Sequence, residues 1–355
     1  MKITGIDYVE LYVGNVRQAA HFYRTALGFT PIAYMGPEMG VQDFIRIALA
    51  QHNIKLVLTS ELRTNGPVAN HIALHGDGIK DIALTVDDVR STFEEVMKRG
   101  AEPVMEPTIL EDIDGRVIKA TIAVYGDTHH SFIQRDYRGV FLPGYAPIDN
   151  IPAAVPTGLG AIDHIAVSVE PGKLDYWIAF YERVLNFQQL QEENIATEYS
   201  AMNSKVVQSR TGCVRFPIME PAPGKYKSQI EEYLQFYRGP GAQHIALLSS
   251  NILDTVRAMR KNGIEFLQPP VDYYEMLEDR LGKLEEDTAT LREMNVLVDR
   301  DESGYLLQSF TKPLQSRPTI FLEVIQRKGA CGFGRGNIKA LFQSVEREQA
   351  LRGNL

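Results

Sequence analysis

The sequence repeats itself, and its two copies differ where chemistry would sit. Gly5-Ile6-Asp7-Tyr8 returns as Ala161-Ile162-Asp163-His164. A Phe-Tyr pair follows in each copy (Phe22-Tyr23, Phe180-Tyr181), then a Leu-x-Phe ending, Leu27 to Phe29 and Leu185 to Phe187. Ile79-Lys80-Asp81-Ile82-Ala83-Leu84 matches Ala242-Gln243-His244-Ile245-Ala246-Leu247. Ser131-Phe132-Ile133-Gln134-Arg135 matches Glu323-Val324-Ile325-Gln326-Arg327. Such self-similarity confines the chain to a fold that builds one supersecondary unit more than once. Where the first copy reads Tyr8, Asp81 and Ser131, the second reads His164, His244 and Glu323. Two imidazoles and a carboxylate are the side chains of a facial triad, which holds non-haem Fe(II) and leaves open positions.

Taken singly, each of the three has a bland reading. A histidine among apolar residues is more often a satisfied core residue than a ligand, and a strand Glu is more often an edge or ion-pair residue. Taken together they differ, because they fall at equivalent points of successive units, with separations of 80 (244−164) and 79 (323−244). In the segment 320–326, Phe321, Glu323 and Ile325 share one strand face, which points the carboxylate inward. A buried carboxylate needs a partner, and a metal ion supplies one. Zinc on two His and one Glu is the competing ion, although the chain has no HExxH motif. His71, His75, His129 and His130 read as structural. Gly332-Phe-Gly-Arg-Gly is a weak nucleotide-loop match without a βαβ setting.

Short runs rich in β-branched and aromatic residues mark strands at 6–12, 44–48, 54–58, 82–86 and 120–124. Helical periodicity covers 16–27 and 89–99, the latter stopped by Gly100. The order strand–helix–three strands, twice per half, predicts an α+β fold of two domains, each of two βαβββ modules forming an open barrel. In the second half, strands are expected at 162–169, 243–248, 305–310 and 320–326, with helices at 174–185 and 252–262. The segment 273–295 is charged and helical in part. Tyr145 to Gly158 is Pro-rich and continues neither helix nor central strand. It separates a non-catalytic domain, 1–155, from a metal-binding domain, 156–355. A glycine-rich stretch, 332–337, precedes an amphipathic helix at 338–352, a layout suited to a lid.

A formal net charge of −8 excludes binding that works by neutralising phosphates, so no nucleic-acid partner is expected. No run of about 18 apolar residues exists to span a membrane, and the N-terminus has no apolar signal segment. Two cysteines, Cys213 and Cys331, make no disulfide framework, which points to a reducing cytoplasm. The oligomeric state stays open.

Several long strings resemble the 4-hydroxyphenylpyruvate dioxygenase family, a branch of the vicinal-oxygen-chelate fold. They include the segments 8–13, 75–83 and 220–230, Gln243-His244-Ile-Ala-Leu, Gly304-Tyr-Leu-Leu-Gln308, 321–327 and 332–337. The resemblance covers the whole chain and implies Fe(II) on His164, His244 and Glu323. It implies a 4-hydroxyphenyl 2-oxo acid and O2 as substrates, with oxidative decarboxylation followed by hydroxylation by an Fe(IV)-oxo oxidant. The family's polar pocket residues fall on Ser204, Gln229, Gln243 and Gln308, and its apolar walls on Phe310, Phe321 and Phe333.

The product depends on where the oxidant meets the substrate. Dioxygenases hydroxylate the ring and form homogentisate, whereas the related hydroxymandelate synthases hydroxylate the benzylic carbon. The dioxygenase pattern Pro-x-Asn-Glu-Pro reads Pro217-Ile-Met219-Glu-Pro here, and Gly-Asn-Phe reads Gly336-Asn337-Ile338. An amide is replaced by an apolar thioether and an aromatic wall is lost. Met219 and Ile338 therefore resemble the synthase, while Pro217 and Phe342 keep the dioxygenase residue. On this reading the expected product is 4-hydroxymandelate, with homogentisate the alternative. A non-catalytic protein that sequesters small aromatics is the reading from another class, and the intact triad speaks against it.

Overall fold

The computed structural model of the chain describes residues 1–149 and 151–354. The first half opens with β1 (Ile3–Tyr12), α1 (Val16–Leu27), β2 (Thr30–Met35), β3 (Phe44–Gln51) and β4 (Ile54–Glu61). After α2 (Pro67–His75) the unit recurs as β5 (Gly78–Val86), α3 (Val89–Lys98), β6 (Glu102–Asp112), β7 (Gly115–Ala123) and β8 (His129–Tyr137). The two-residue β9 (Ala146–Pro147) adds to the edge of the same sheet. The second half follows with β10 (Leu159–Ser168), α4 (Leu174–Leu185), β11 (Gln188–Ala196), β12 (Ala201–Gln208), β13 (Arg215–Ala222) and α5 (Gln229–Tyr237). Its last unit comprises β14 (Gly241–Ser249), α6 (Ile252–Lys261), α7 (Leu277–Leu281), α8 (Thr288–Met294), β15 (Leu297–Asp301), β16 (Gly304–Phe310) and β17 (Phe321–Lys328). A terminal helix, α9 (Arg335–Leu351), closes the chain.

Local chemistry sets these boundaries. Asn15 accepts from the backbone N–H of Arg17 and Gln18 at 3.1 Å each, and Gly28 ends α1 in the left-handed region at φ 79°. Ser228 and Glu231 form a reciprocal capping box at the start of α5. Each half is one curled, open sheet. The order β2-β3-β4-β1-β5-β8-β7-β6 in the first matches β11-β12-β13-β10-β14-β17-β16-β15 in the second, so the α+β architecture of paired βαβββ units is as expected.

The registers coincide too. Tyr8 lies opposite Ala83, which lies beside Ser131; His164 lies opposite Ala246, which lies beside Glu323. Asp81 lies opposite Glu10, as His244 lies opposite Ala166.

One continuous apolar cluster, from Ile3 to Leu341, runs through both halves. Across the seam Tyr125 meets Trp177 edge-on at 5.6 Å, and His130 stacks on Phe216 at 5.2 Å. His130 Nε2 also lies 2.8 Å from the Tyr181 hydroxyl, which makes it structural. Burying each such ring stabilises the fold by roughly 1.5–3 kcal/mol.

The structure adds β2, β6, β8, β9, β11, β12, β13, β15, α2 and α5 to the elements placed by residue in the sequence. β6 and β11 are edge strands with few buried residues, and their sequences lack the apolar–polar alternation that marks a half-buried strand. The segment 273–295 holds two short helices, α7 and α8, with Gly282 ending the first at φ 72°. The terminal helix starts at Arg335 instead of 338. Among the described residues, no helix is long and apolar enough to cross a membrane.

Candidate metal centre and pocket

Adjacent strands bring three side chains to one point inside the second sheet. His164 comes from β10, His244 from β14 and Glu323 from β17, and all three are buried. His164 Nε2 and His244 Nε2 lie 3.4 and 3.6 Å from the same oxygen, Glu323 Oε2. Each remaining donor or acceptor is already engaged. Asp163 Oδ1 holds His164 Nδ1 at 2.8 Å, Gln243 Oε1 lies 3.2 Å from His244 Nδ1, and Gln308 Nε2 donates to Glu323 Oε1 at 2.8 Å. Bonds on the outer ring nitrogens leave both Nε2 atoms facing the centre, as metal-binding imidazoles require. Spacings near 3.5 Å suit ligands that share an ion at roughly 2.0–2.2 Å.

The electrostatics agree. Burial would raise the Glu323 carboxyl, but the flanking imidazoles win and hold it down at about 2. Burial opposes charge on His164 as well, yet Glu323 and Asp163 push it up to about 9. His244 goes the other way, lowered by burial. The site thus attracts positive charge at its centre, and its donor set fits Fe(II). Behind it, burial would raise Asp163, but Arg327 and His164 keep it well below the usual carboxylate range. Arg327 grips Asp163 at 2.7 and 2.8 Å and donates to the carbonyl oxygen of Gly332 at 2.7 Å.

All three side chains line one cavity. Of the residues singled out in the sequence, Ser204, Pro217, Met219, Gln229, Gln243, Gln308, Phe310, Phe333 and Ile338 line it. Phe321 does not; it shares a face of β17 with Glu323, and its ring stacks on His244 at 4.7 Å. Gln308 reaches the cavity with its amide committed, since Oε1 accepts from Asn337 Nδ2 at 2.7 Å. Met202, Val206, Gln191, Glu193 and Leu341 also line the cavity and were missed. Met202 and Val206 flank Ser204 at a spacing of two on β12, a signal the sequence did contain. Met219 belongs to an apolar cluster with Met202, Ile230 and Phe342, against which Ile338 packs.

At the corresponding place in the first half a lysine ammonium stands in. Lys119 occupies on β7 the register of Gln308 on β16: Lys119 pairs with Ile133, two residues past Ser131, as Gln308 pairs with Ile325, two past Glu323. Its Nζ bonds the Tyr8 hydroxyl at 2.7 Å and Asp81 Oδ2 at 3.2 Å. His71, His75 and Asp127 also gather closely. That group already has its cation, Lys80 Nζ, 3.4 Å from Asp127 Oδ2.

The sequence profile of the Glyoxalase/Bleomycin resistance protein/Dioxygenase superfamily matches residues 5–112 and 161–308. The 4-hydroxyphenylpyruvate dioxygenase of Yarrowia lipolytica is 46% identical over 368 residues, spanning 99% of this chain and 93% of that protein. That of Dictyostelium discoideum is 42% identical, spanning 99% of this chain and all of its own. A solved triple mutant of 4-hydroxymandelate synthase from Streptomyces coelicolor superposes with a TM-score of 0.90 at 37% identity, covering 98% of this chain and 100% of that one.

Proposed function

We propose, from the premise that this chain belongs to the 4-hydroxyphenylpyruvate dioxygenase family of vicinal-oxygen-chelate enzymes, that it oxidises 4-hydroxyphenylpyruvate with O2 and releases CO2. The observation that carries this reading is the convergence of His164 Nε2, His244 Nε2 and Glu323 Oε2 in a cavity lined by side-chain amides and apolar residues. Fe(II) held there would supply the chelation of the 2-oxo acid and the activation of O2, with the substrate's own carbon chain as reductant. The atoms balance: one oxygen of O2 enters the new carboxylate as CO2 leaves, and the other enters the remaining C8 acid.

In this reading the chain's residues bind, orient and exclude. Ser204, Gln229 and Gln243 offer hydrogen bonds to the phenol, and an unpaired buried hydroxyl costs roughly 1–3 kcal/mol, which selects against phenylpyruvate. Phe310 and Phe333 keep water from the reacting centre. Asp163 and Gln243 orient the two imidazoles, and Gln308 orients the carboxylate. Residues 1–155 would be the non-catalytic domain and 156–355 the catalytic one.

Homogentisate is the product that the relatives favour, since the curated proteins at 42–46% identity carry the dioxygenase name. This reverses the order expected from the sequence. A second reading, 4-hydroxymandelate, keeps one specific observation: Met219 and Ile338 both line the cavity. The two acids are isomers, so mass alone does not separate them. Protein loaded anaerobically with Fe(II), then given 4-hydroxyphenylpyruvate and O2, should yield an acid with three ring protons and a methylene by NMR. Four ring protons and one benzylic proton would install the second reading. No turnover by the Fe(II)-loaded protein would overturn both.

A further inference from the structure

Glu323 is tied to the terminal helix by a one-way chain of hydrogen bonds. A carboxylate only accepts, so Gln308 must turn its NH2 toward Glu323, and the 2.8 Å contact is a donation. The Gln308 carbonyl then faces Asn337, on the first turn of α9, and must be met by Nδ2 at 2.7 Å. That turns Asn337 Oδ1 toward Tyr273, whose hydroxyl lies 2.6 Å away. Tyr273 has a single proton and a second acceptor in reach, the Val298 carbonyl at 2.8 Å. Asn337 Oδ1 is the nearer acceptor, and the Val298 carbonyl is already met by Arg280 Nη2 at 2.9 Å, so the proton goes to Asn337. Tyr273 itself accepts from Arg280 Nη2 at 3.0 Å and from the Val298 N–H at 2.8 Å. The chain therefore begins at a guanidinium, which only donates, and ends at a carboxylate, which only accepts. No link can reverse without breaking both neighbours.

The route is built for this. Asn337, Gln308 and Glu323 are fully or almost fully buried, and Tyr273 nearly so. Gly334, at φ 75°, leaves the space the route needs: a Cβ there would sit 2.5 Å from Gln308 Oε1 and 3.2 Å from Asn337 Nδ2. The same turn of α9 receives Asp299 Oδ2 on the Gly336 N–H at 2.7 Å. Polarised chains in a dry interior strengthen one another, so loss of a distant link reaches the carboxylate.

We propose that Tyr273 and Asn337 are positioning residues that couple the docking of α9 to metal binding at Glu323. The inference rests on the metal reading given above, but not on the substrate or product. Coupling between two events is reciprocal: if docking of α9 tightens the metal, the metal must tighten α9 by the same factor.

The test uses the full chain, with Co(II) as the probe and no substrate. Titration should show Tyr273→Phe binding Co(II) about tenfold more weakly than the wild type, the lower end of what outer ligand partners contribute. Arg280→Met, at an exposed residue, should show a smaller loss in the same direction. Hydrogen exchange at residues 335–342 should slow on adding Co(II) to the wild type, and much less in Tyr273→Phe. A folded Tyr273→Phe with wild-type affinity would overturn the proposal, as would exchange at 335–342 that ignores Co(II) in the wild type. Should Tyr273→Phe fail to fold, Arg280→Met decides by the same two readings. A wild type that shows the coupling but no turnover would sink the proposed activity and leave this inference standing. A wild type that binds no Co(II) would sink both.

Discussion

Replacing Lys119 by Met tests whether the first half keeps a fixed cation where the second gathers His164, His244 and Glu323. Asp81 is 3% exposed, and the lysine side chain is 19% exposed. Burial alone would lower the ammonium pKa, but Tyr8 and Asp81 raise it above its ordinary value, so the lysine is charged. Removing one partner of a buried pair costs about 3–5 kcal/mol, because the other charge stays behind without compensation. Here the carboxylate keeps two donors, the Ser131 N–H at 3.0 Å and its hydroxyl at 2.5 Å. The loss should therefore fall near the lower end, about 3 kcal/mol. In Lys119→Met with Asp81→Asn no charge is stranded, and the loss should shrink to about 1 kcal/mol. Urea unfolding with a common m-value measures both. A loss below about 1 kcal/mol in the single variant, or a double variant no more stable than the single, would refute the reasoning. Metal binding in the second half should be unchanged in both.

Glu323→Ala should abolish iron-dependent turnover and leave the circular dichroism spectrum unchanged; retained activity would remove Glu323 from the site. If the wild type forms 4-hydroxymandelate, Met219→Asn with Ile338→Phe should move product toward homogentisate, and an unmoved ratio would show that these positions do not steer oxidation. Acid should weaken the seam through His130, whose pKa is lowered to about 4 by burial despite its bond to the Ile82 carbonyl. The neutral ring's stability is complete above the ordinary value of about 6.5 and is lost as pH falls toward 4, up to about 3 kcal/mol in all. Urea midpoints at pH 7.5 and 5 should converge in His130→Gln, and an equal acid loss in the variant would acquit this residue.

The repeat made the centre legible, since equal spacing in a duplicated chain means equal register, and β10, β14 and β17 place His164, His244 and Glu323 accordingly. Most of the pocket was legible only through resemblance, because Ser204, Gln229 and Ile338 come from three different elements and share no local pattern. What stayed hidden was whatever depends on neighbours distant in sequence. Nothing local says that Phe321 would stack behind an imidazole, or that the Gln308 amide would be consumed by Glu323 and Asn337. Nothing in the sequence singles out Lys119; only its register, which matches that of Gln308, does.

The shared core has a consequence for anyone who would shorten this protein. Trp177, Tyr181 and Phe216 belong to the half with the candidate metal site, yet their rings rest on Tyr125 and His130 of the other half. Tyr237, two turns along the helix that carries Gln229 into the cavity, stacks on His75. Expressed alone, residues 156–355 would present that aromatic face to water and lose the support of the helix holding Gln229. The half without the His/His/Glu group is thus no spare part: it is the mould against which the other half sets.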